Sequence, residues 1–122
     1  MNIAIVDDEP GILLAMRLYL EMEGHHPLLF SSPLEALKTL QTEKADMVII
    51  DMRMPEMDGE ELARRLKGNE KTKEIPLILF SAHETVSEVA ARVGAYGILE
   101  KPFDFEELAK IIQSVEENKY SA

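Results

Sequence analysis

The segment Ile3-Ala4-Ile5-Val6-Asp7-Asp8 is a short apolar run that ends on two carboxylates. Two later runs end in a similar way, since Asp51 follows residues 47–50 and Lys101 comes shortly after residues 98–99. In a parallel sheet, the residues at the carboxyl ends of the strands converge in one crevice, whatever their separation in the sequence. These runs therefore predict a parallel sheet in which three carboxylates and one ammonium group share a small volume.

The rest of the chain alternates apolar runs with segments of helical period. This alternation predicts an α/β fold, a doubly wound five-stranded parallel sheet with helices on both faces. We predict strands near residues 2–6, 25–30, 46–50, 75–80 and 96–99, with five helices between and after them. Pro27 lies inside the second run, and because proline cannot donate to a ladder we place that strand at an edge. An edge position suits the strand order 2-1-3-4-5.

Helix starts and stops are marked by capping residues. Four starts carry an N-cap residue three positions before a glutamate: Ser32, Asp58, Thr85 and Asp104. Gly94, directly after Val93, is placed to end the fourth helix. Gly59 follows one of the caps, and we predict that it meets a packing requirement at the start of the third helix.

Size and composition limit the classes of protein that the chain can belong to. The 122 residues predict one domain, 1–122, with a polar segment at 116–122 that frays. The N-terminus leads straight into an apolar strand without a secretory signal, so we expect a cytoplasmic protein. The absence of cysteine excludes disulfides, thiolate metal sites and cysteine nucleophiles. A net charge of −10 argues against direct binding to nucleic acid or to a membrane surface.

The predicted acidic cluster needs a compensating charge. Two like charges about 4 Å apart repel by about 4 kcal/mol at an effective dielectric constant of about 20. A metal ion or a proton offsets that repulsion. Because all the candidate ligands are oxygens, a hard cation such as Mg²⁺ is favoured over zinc or copper, and Mn²⁺ is expected to substitute for it.

Four short strings carry a resemblance to a known family. They are Val6-Asp7-Asp8-Glu9-Pro10, Asp51-Met52-Arg53-Met54-Pro55-Glu56-Met57-Asp58-Gly59, Phe80-Ser81-Ala82 and Lys101-Pro102-Phe103. Each string alone is weak evidence, but their order, strand-end positions and spacing together are specific. Over essentially its whole length, the chain resembles the CheY-like receiver domains of two-component response regulators, which have the flavodoxin-like (βα)5 fold.

The resemblance implies a phosphorylation site. Asp51 would be the phosphoacceptor, attacking a phosphoryl group held on a histidine of a sensor kinase or phosphotransfer protein. Asp8 and Asp51 would bind Mg²⁺ directly, Asp7 would act mainly through a metal-bound water, and the backbone carbonyl of Arg53 would supply another ligand. Lys101 would pair with a phosphoryl oxygen. The chain would then catalyse only its own phosphotransfer and dephosphorylation, and would not be an enzyme acting on other substrates.

The resemblance also implies a switch in partner binding. In the family, the hydroxyl at the position of Ser81 contacts the phosphoryl group and draws the following loop inward, which alters the face that binds a downstream protein. The bond between Lys101 and Pro102 is usually cis in this family. Many receivers carry Tyr or Phe where this chain has Ile98, and its nearest aromatic residue is Tyr96.

Two further positions are implied to tune the lifetime of the aspartyl phosphate. Arg53 and His83, each two residues past a site residue, occupy the places that flank the access of water to the phosphoryl group.

Other interpretations of the same residues remain open. Taken singly, the aspartates are typical turn or cap residues; it is their combination with Lys101 and Ser81 that favours a site. A pseudo-receiver that acts as an unphosphorylated adaptor would require the loss of a site residue, and none is missing. A flavodoxin-like mononucleotide binder would need a Gly/Ser/Thr-rich phosphate loop where residues 7–9 are acidic. An aspartyl-phosphate hydrolase would need an Asp-x-Asp pair after the first strand.

Overall fold

The computed structural model describes residues 1–82 and 85–120, and in these residues five strands form one parallel sheet. The strands are β1 (Asn2–Val6), β2 (His26–Phe30), β3 (Met47–Asp51), β4 (Leu77–Ser81) and β5 (Gly97–Glu100). Their order in the sheet is β2-β1-β3-β4-β5, which confirms the predicted fold class. Pro27 pairs with Ile3 on the edge strand β2, as its missing N–H requires.

Helices follow each strand. They are α1 (Pro10–Met22), α2 (Pro33–Thr39), α3 (Gly59–Lys67), α4 (Val86–Val93) and α5 (Phe105–Tyr120). Helix α5 continues through part of the polar segment whose fraying was predicted from 116 onward. In the part of the chain that is described, no helix combines the length and the apolar character needed to cross a membrane.

Three of the four predicted N-caps accept the expected backbone hydrogen bond. Ser32 Oγ accepts from the Glu35 N–H at 3.3 Å, and the Oδ1 atoms of Asp58 and Asp104 accept from Glu61 and Glu107, each at 2.8 Å. The fourth prediction was wrong in its detail. Helix α4 begins after Thr85, but the Thr85 side chain makes no cap hydrogen bond, because its backbone (φ −85°, ψ 4°) is not extended. Gly94 ends α4 in the left-handed region (φ 68°), as predicted.

The two faces of the sheet carry separate parts of the core. Successive residues of a strand point to opposite faces, so Ala4 and Val6 lie in one buried cluster while Ile3 and Ile5 lie in the other. The first cluster includes buried residues of α2, α3 and α4, and the second includes buried residues of α1 and α5. The sheet is therefore covered on both sides, and its carboxyl edge remains available for a site.

Gly59 fixes the position of α3 against the end of β3. A Cβ atom at this position would lie 2.6 Å from the Asp51 carbonyl oxygen and 2.8 Å from the Met52 Cα. The Gly59 N–H also donates to the Met52 carbonyl at 3.1 Å. This contact confirms the predicted packing requirement, and it anchors the backbone of Asp51.

Candidate functional site

Three carboxylates meet at the carboxyl edge of the sheet. One oxygen each from Asp7, Asp8 and Asp51 lies within 4.8 Å of the others. Asp7 and Asp8 follow β1, and Asp51 is the last residue of β3, a neighbouring strand in the sheet. The structure thus brings together the acidic residues that the strand ends predicted.

Asp7 is the most deeply buried of the three, with none of its surface exposed. Its Oδ1 accepts a hydrogen bond from the Glu9 backbone N–H at 2.8 Å. Its Oδ2 is buried and has no hydrogen-bond partner among the described residues. Burial raises the pKa of Asp7 from 3.8 to about 6, although the Glu9 N–H opposes the rise. An orphaned buried oxygen of this kind suits a site that is completed by a cation or a proton.

Asp51 faces a positive charge. The Lys101 ammonium donates a hydrogen bond to Asp51 Oδ1 at 3.2 Å, and the Arg53 backbone N–H donates to the same oxygen at 3.5 Å. Burial raises the pKa of Asp51, which is 4% exposed, and the nearby Lys101 charge opposes that rise. The contact with Lys101 therefore favours the charged form of this carboxylate, against the effect of burial.

Ser81 and Lys101 are linked through the backbone at the ends of β4 and β5. The Lys101 N–H donates to the Ser81 carbonyl at 3.0 Å. Ser81 is 4% exposed, and the Lys101–Pro102 peptide bond is cis, as the family resemblance implied. A cleft of about 640 Å³ opens above these residues. Its lining includes Asp8, Asp51, Arg53, Ser81 and Lys101.

The residues expected to modulate the site lie in different surroundings. The Arg53 side chain is exposed and lines the cleft, whereas His83 lies outside the described residues. Ile98 is partly buried against the core cluster shared by α2, α3 and α4. The Tyr96 hydroxyl is held on α5 by hydrogen bonds with Ser114 Oγ, at 2.6 Å, and with Asn118 Nδ2. The Tyr96 hydroxyl is therefore engaged with α5.

Sequence reasoning missed one neighbour of the site, Phe80. It belongs to a predicted strand and to the string Phe80-Ser81-Ala82, which assign it no role in the site, yet the Lys101 Nζ lies 4.5 Å from its ring centroid. The register of the sheet contains a signal that could have found it. Phe80 pairs with Asp51 on one side and with Leu99, two residues before Lys101, on the other.

Comparisons with known proteins agree with this geometry. The family described as the response regulator receiver domain matches residues 3–113. The transcriptional regulatory protein GlrR of Escherichia coli K12 is 33% identical over 123 residues, which cover 99% of this chain and 27% of GlrR. The response regulator MprA of Mycobacterium tuberculosis H37Rv is 33% identical over 110 residues, covering 88% of this chain and 47% of MprA. The chain thus spans about a quarter to a half of the length of these curated relatives.

Solved structures are similar over nearly the whole chain. The chemotaxis protein CheY4 of Vibrio cholerae has a TM-score of 0.87 at 28% identity, covering 93% of this chain and 97% of CheY4. The receiver domain of the sensor histidine kinase PA1611 from Pseudomonas aeruginosa PAO1 has a TM-score of 0.85 at 25% identity, covering 93% of this chain and 94% of that domain. The PA1611 structure has a magnesium ion coordinated in its active-site cleft. On the family match, the sheet order and the convergent site, the chain belongs to the receiver domains of two-component response regulators.

Proposed function

We propose that Asp51 accepts a phosphoryl group from a histidine of a sensor kinase or phosphotransfer protein. The aspartyl phosphate then changes the binding of a downstream protein target. The observation that carries this proposal is the contact of a nearly buried carboxylate with an ammonium group at 3.2 Å, at the edge of a cleft. A carboxylate is a competent nucleophile, but it needs positive charge nearby to approach a phosphoryl group.

The donor atoms of the site fit a hard divalent cation. All are oxygens, and Asp7 Oδ2 is a buried oxygen without a described partner. We assign Asp8, Asp51 and the Arg53 carbonyl as direct ligands of Mg²⁺, with Asp7 acting through a metal-bound water and Mn²⁺ as a substitute. When bound, the cation offsets the negative charge of the carboxylates and of the phosphoryl oxygens. The magnesium ion in the cleft of the PA1611 receiver supports this assignment.

Asp51, Lys101 and Ser81 each have a separate role in the phosphoryl transfer. A carboxylate oxygen of Asp51 forms the new bond to phosphorus while the bond from phosphorus to the donor histidine breaks. Lys101 moves its hydrogen bond from Asp51 to a phosphoryl oxygen, which keeps the charge of the acceptor site balanced. The Ser81 hydroxyl, at the end of the neighbouring strand β4, donates to another phosphoryl oxygen.

The switch that follows involves the end of β4 and the face formed by α4, β5 and α5. Ile98 lies in that region and takes part by repacking, since an aliphatic side chain fills the position where many receivers have an aromatic ring. Arg53 and His83 regulate the access of water to the aspartyl phosphate, and hydrolysis by that water returns the chain to its starting state. Family membership supports a cytoplasmic location, where kinase and target would meet the receiver.

Phosphorylation by a small donor tests the assignment of Asp51. Incubation with Mg²⁺ and acetyl phosphate should add the mass of one phosphoryl group to the wild-type protein and none to Asp51→Asn. Asp46→Asn is the matched control, because Asp46 precedes β3 at the opposite end of the same strand and should leave labelling intact. Chelation of the metal should stop labelling of the wild type. A wild-type protein that gains no phosphoryl group would instead favour a pseudo-receiver that binds partners without phosphorylation.

A further inference from the structure

We propose that Phe80 is a positioning residue that holds the Lys101 ammonium over the phosphoacceptor. This inference rests on the proposed function, since it concerns the same lysine. The Lys101 Nζ lies 4.5 Å from the centroid of the Phe80 ring and 3.2 Å from Asp51 Oδ1. The cation is therefore held between an aromatic face and a carboxylate.

The Phe80 ring restricts the rotamers of the flexible Lys101 side chain. Four flexible carbon–carbon bonds separate the Lys101 ammonium from its backbone, so an unsupported side chain would sample many rotamers. The Lys101 side chain is 24% exposed, and Phe80 is 1% exposed. Because the ammonium has lost much of its water, its attraction to the ring face is stronger than on an open surface. The contact favours the rotamers that point the ammonium at Asp51.

Phe80 is itself braced by a second ring. Phe103 packs edge-on against Phe80, with ring centroids 5.2 Å apart and an interplanar angle of 86°. Phe103 stands two residues after Lys101, so one short segment carries both the ammonium and the brace of the ring beneath it. The Lys101 backbone is held in turn by its hydrogen bond to the Ser81 carbonyl. The ring and the ammonium thus have their relative position fixed from two sides.

Phe80 should affect the rate of phosphoryl transfer more than the binding of Mg²⁺. Lys101 must leave Asp51 Oδ1 and meet the phosphoryl group within the same small volume. The ring face attracts the Lys101 ammonium both when it is bonded to Asp51 and when it meets the phosphoryl group. Because the ring carries no hydrogen-bond acceptor, it does not replace either of these partners. Phe80 contributes no polar atom to the cluster of Asp7, Asp8 and Asp51, so its ring charge should not alter Mg²⁺ affinity.

Graded fluorination of the ring separates this electrostatic role from packing. Replacing Phe80 by 4-fluorophenylalanine and then by 3,4,5-trifluorophenylalanine withdraws negative charge from the ring face with little change in shape. We expect the rate of phosphorylation by acetyl phosphate to fall stepwise, by about three- to tenfold for the trifluoro ring, with Mg²⁺ affinity unchanged. The NMR signals of the Lys101 ammonium and its neighbouring methylene should shift in the same order.

The control places the same fluorinated residues at Phe30, which is buried in the core cluster on the opposite face of the sheet. Those proteins should react at the wild-type rate, with the Lys101 signals unmoved. Equal rates and equal Lys101 signals for all Phe80 forms would overturn the inference. The NMR readout also stands when the wild type gains no phosphoryl group, so failure of the proposed function and failure of the ring contact can be distinguished.

Discussion

We predict that Asp7, because its charge is buried, destabilises the metal-free fold. The change that tests this is Asp7→Asn, measured by urea unfolding of metal-free protein between pH 5 and 8. An aspartate with a raised pKa binds its proton more tightly when folded than when unfolded. Folding is therefore favoured at low pH, and stability is lost as pH rises through the interval between 3.8 and about 6.

The size of the effect follows from the pKa of Asp7. A tenfold difference in proton affinity corresponds to about 1.4 kcal/mol. The rise from 3.8 to about 6 therefore costs the wild type about 3 kcal/mol at pH 8. About half of that cost develops between pH 5 and 8. Asparagine keeps an oxygen for the Glu9 N–H but brings an amide group near the position of Oδ2, which costs about 1 kcal/mol or more.

We therefore expect Asp7→Asn to be about 1–2 kcal/mol more stable than the wild type at pH 8, with an advantage that shrinks toward pH 5. Asp8→Asn is the matched control, because Asp8 is exposed and its replacement should change metal-free stability little. Added Mg²⁺ should reverse the order, since a ligand at about 100 times its Kd stabilises the wild type by about 2.7 kcal/mol. Identical pH dependence of wild type and Asp7→Asn without metal would refute the reasoning.

Three further results are expected. Gly59→Ala should lower the free energy of unfolding by about 1–3 kcal/mol, because its Cβ would meet the Asp51 carbonyl at 2.6 Å. Gly11→Ala is the control, since a Cβ there would meet nothing within 4 Å and should not lower the stability. A Gly59→Ala protein as stable as the wild type would contradict the close contact. Asp8→Ala should weaken Mg²⁺ binding sharply in titrations, whereas Lys101→Ala should leave the metal bound and slow phosphorylation; equal affinity of Asp8→Ala and wild type would refute the ligand assignment. Tyr96→Phe should destabilise α5 in hydrogen-exchange measurements, because the variant loses two hydrogen bonds to that helix. The phosphorylation rate should stay unchanged. A slower rate would show that Tyr96 acts on the site.

The strand ends and the edge position of β2 could be predicted from the sequence because both depend on local patterns. A run such as residues 3–6 needs burial on both faces, and the charged residues that follow it mark the carboxyl edge of the sheet. Pro27 restricts its strand to an edge through its own covalent structure. These constraints act within a few residues, so neither needs knowledge of the final fold.

The Thr85 cap shows where local patterns stop being sufficient. Its spacing to Glu88 matches that of Asp58 to Glu61, yet only Asp58 accepts the N–H three residues on with its side chain. At Thr85 the Glu88 N–H instead reaches the backbone carbonyl, at 3.2 Å. The backbone angles of the cap residue decide between the two outcomes. The sequence motif contains no such information.

Phe80 illustrates a second limit, because its contact joins a residue of β4 to Lys101, which lies 21 positions later and just after β5. The structure places Phe80 on the face of the sheet that α1 and α5 cover, and the sequence pattern cannot say that a lysine reaches across that face toward β3. That path depends on the register of β3, β4 and β5 together. Pair contacts of this kind emerge only when the sheet is assembled.

The burial of Asp7 and Asp51 is understandable only when the two carboxylates are considered with their partners. Burial raises the pKa of both, so the metal-free fold holds negative charge at a cost. At Asp51 the Lys101 ammonium opposes that cost through a direct hydrogen bond. At Asp7 the Glu9 N–H and the Lys101 charge oppose it, while Oδ2 has no described hydrogen-bond partner. The pKa of both carboxylates stays raised, and the oxygen without a described hydrogen-bond partner belongs to the acidic cluster where the cation is proposed to bind. Metal binding would therefore offset the buried negative charge at Asp7. Lys101 would still be able to leave Asp51 for the phosphoryl group when that group arrives.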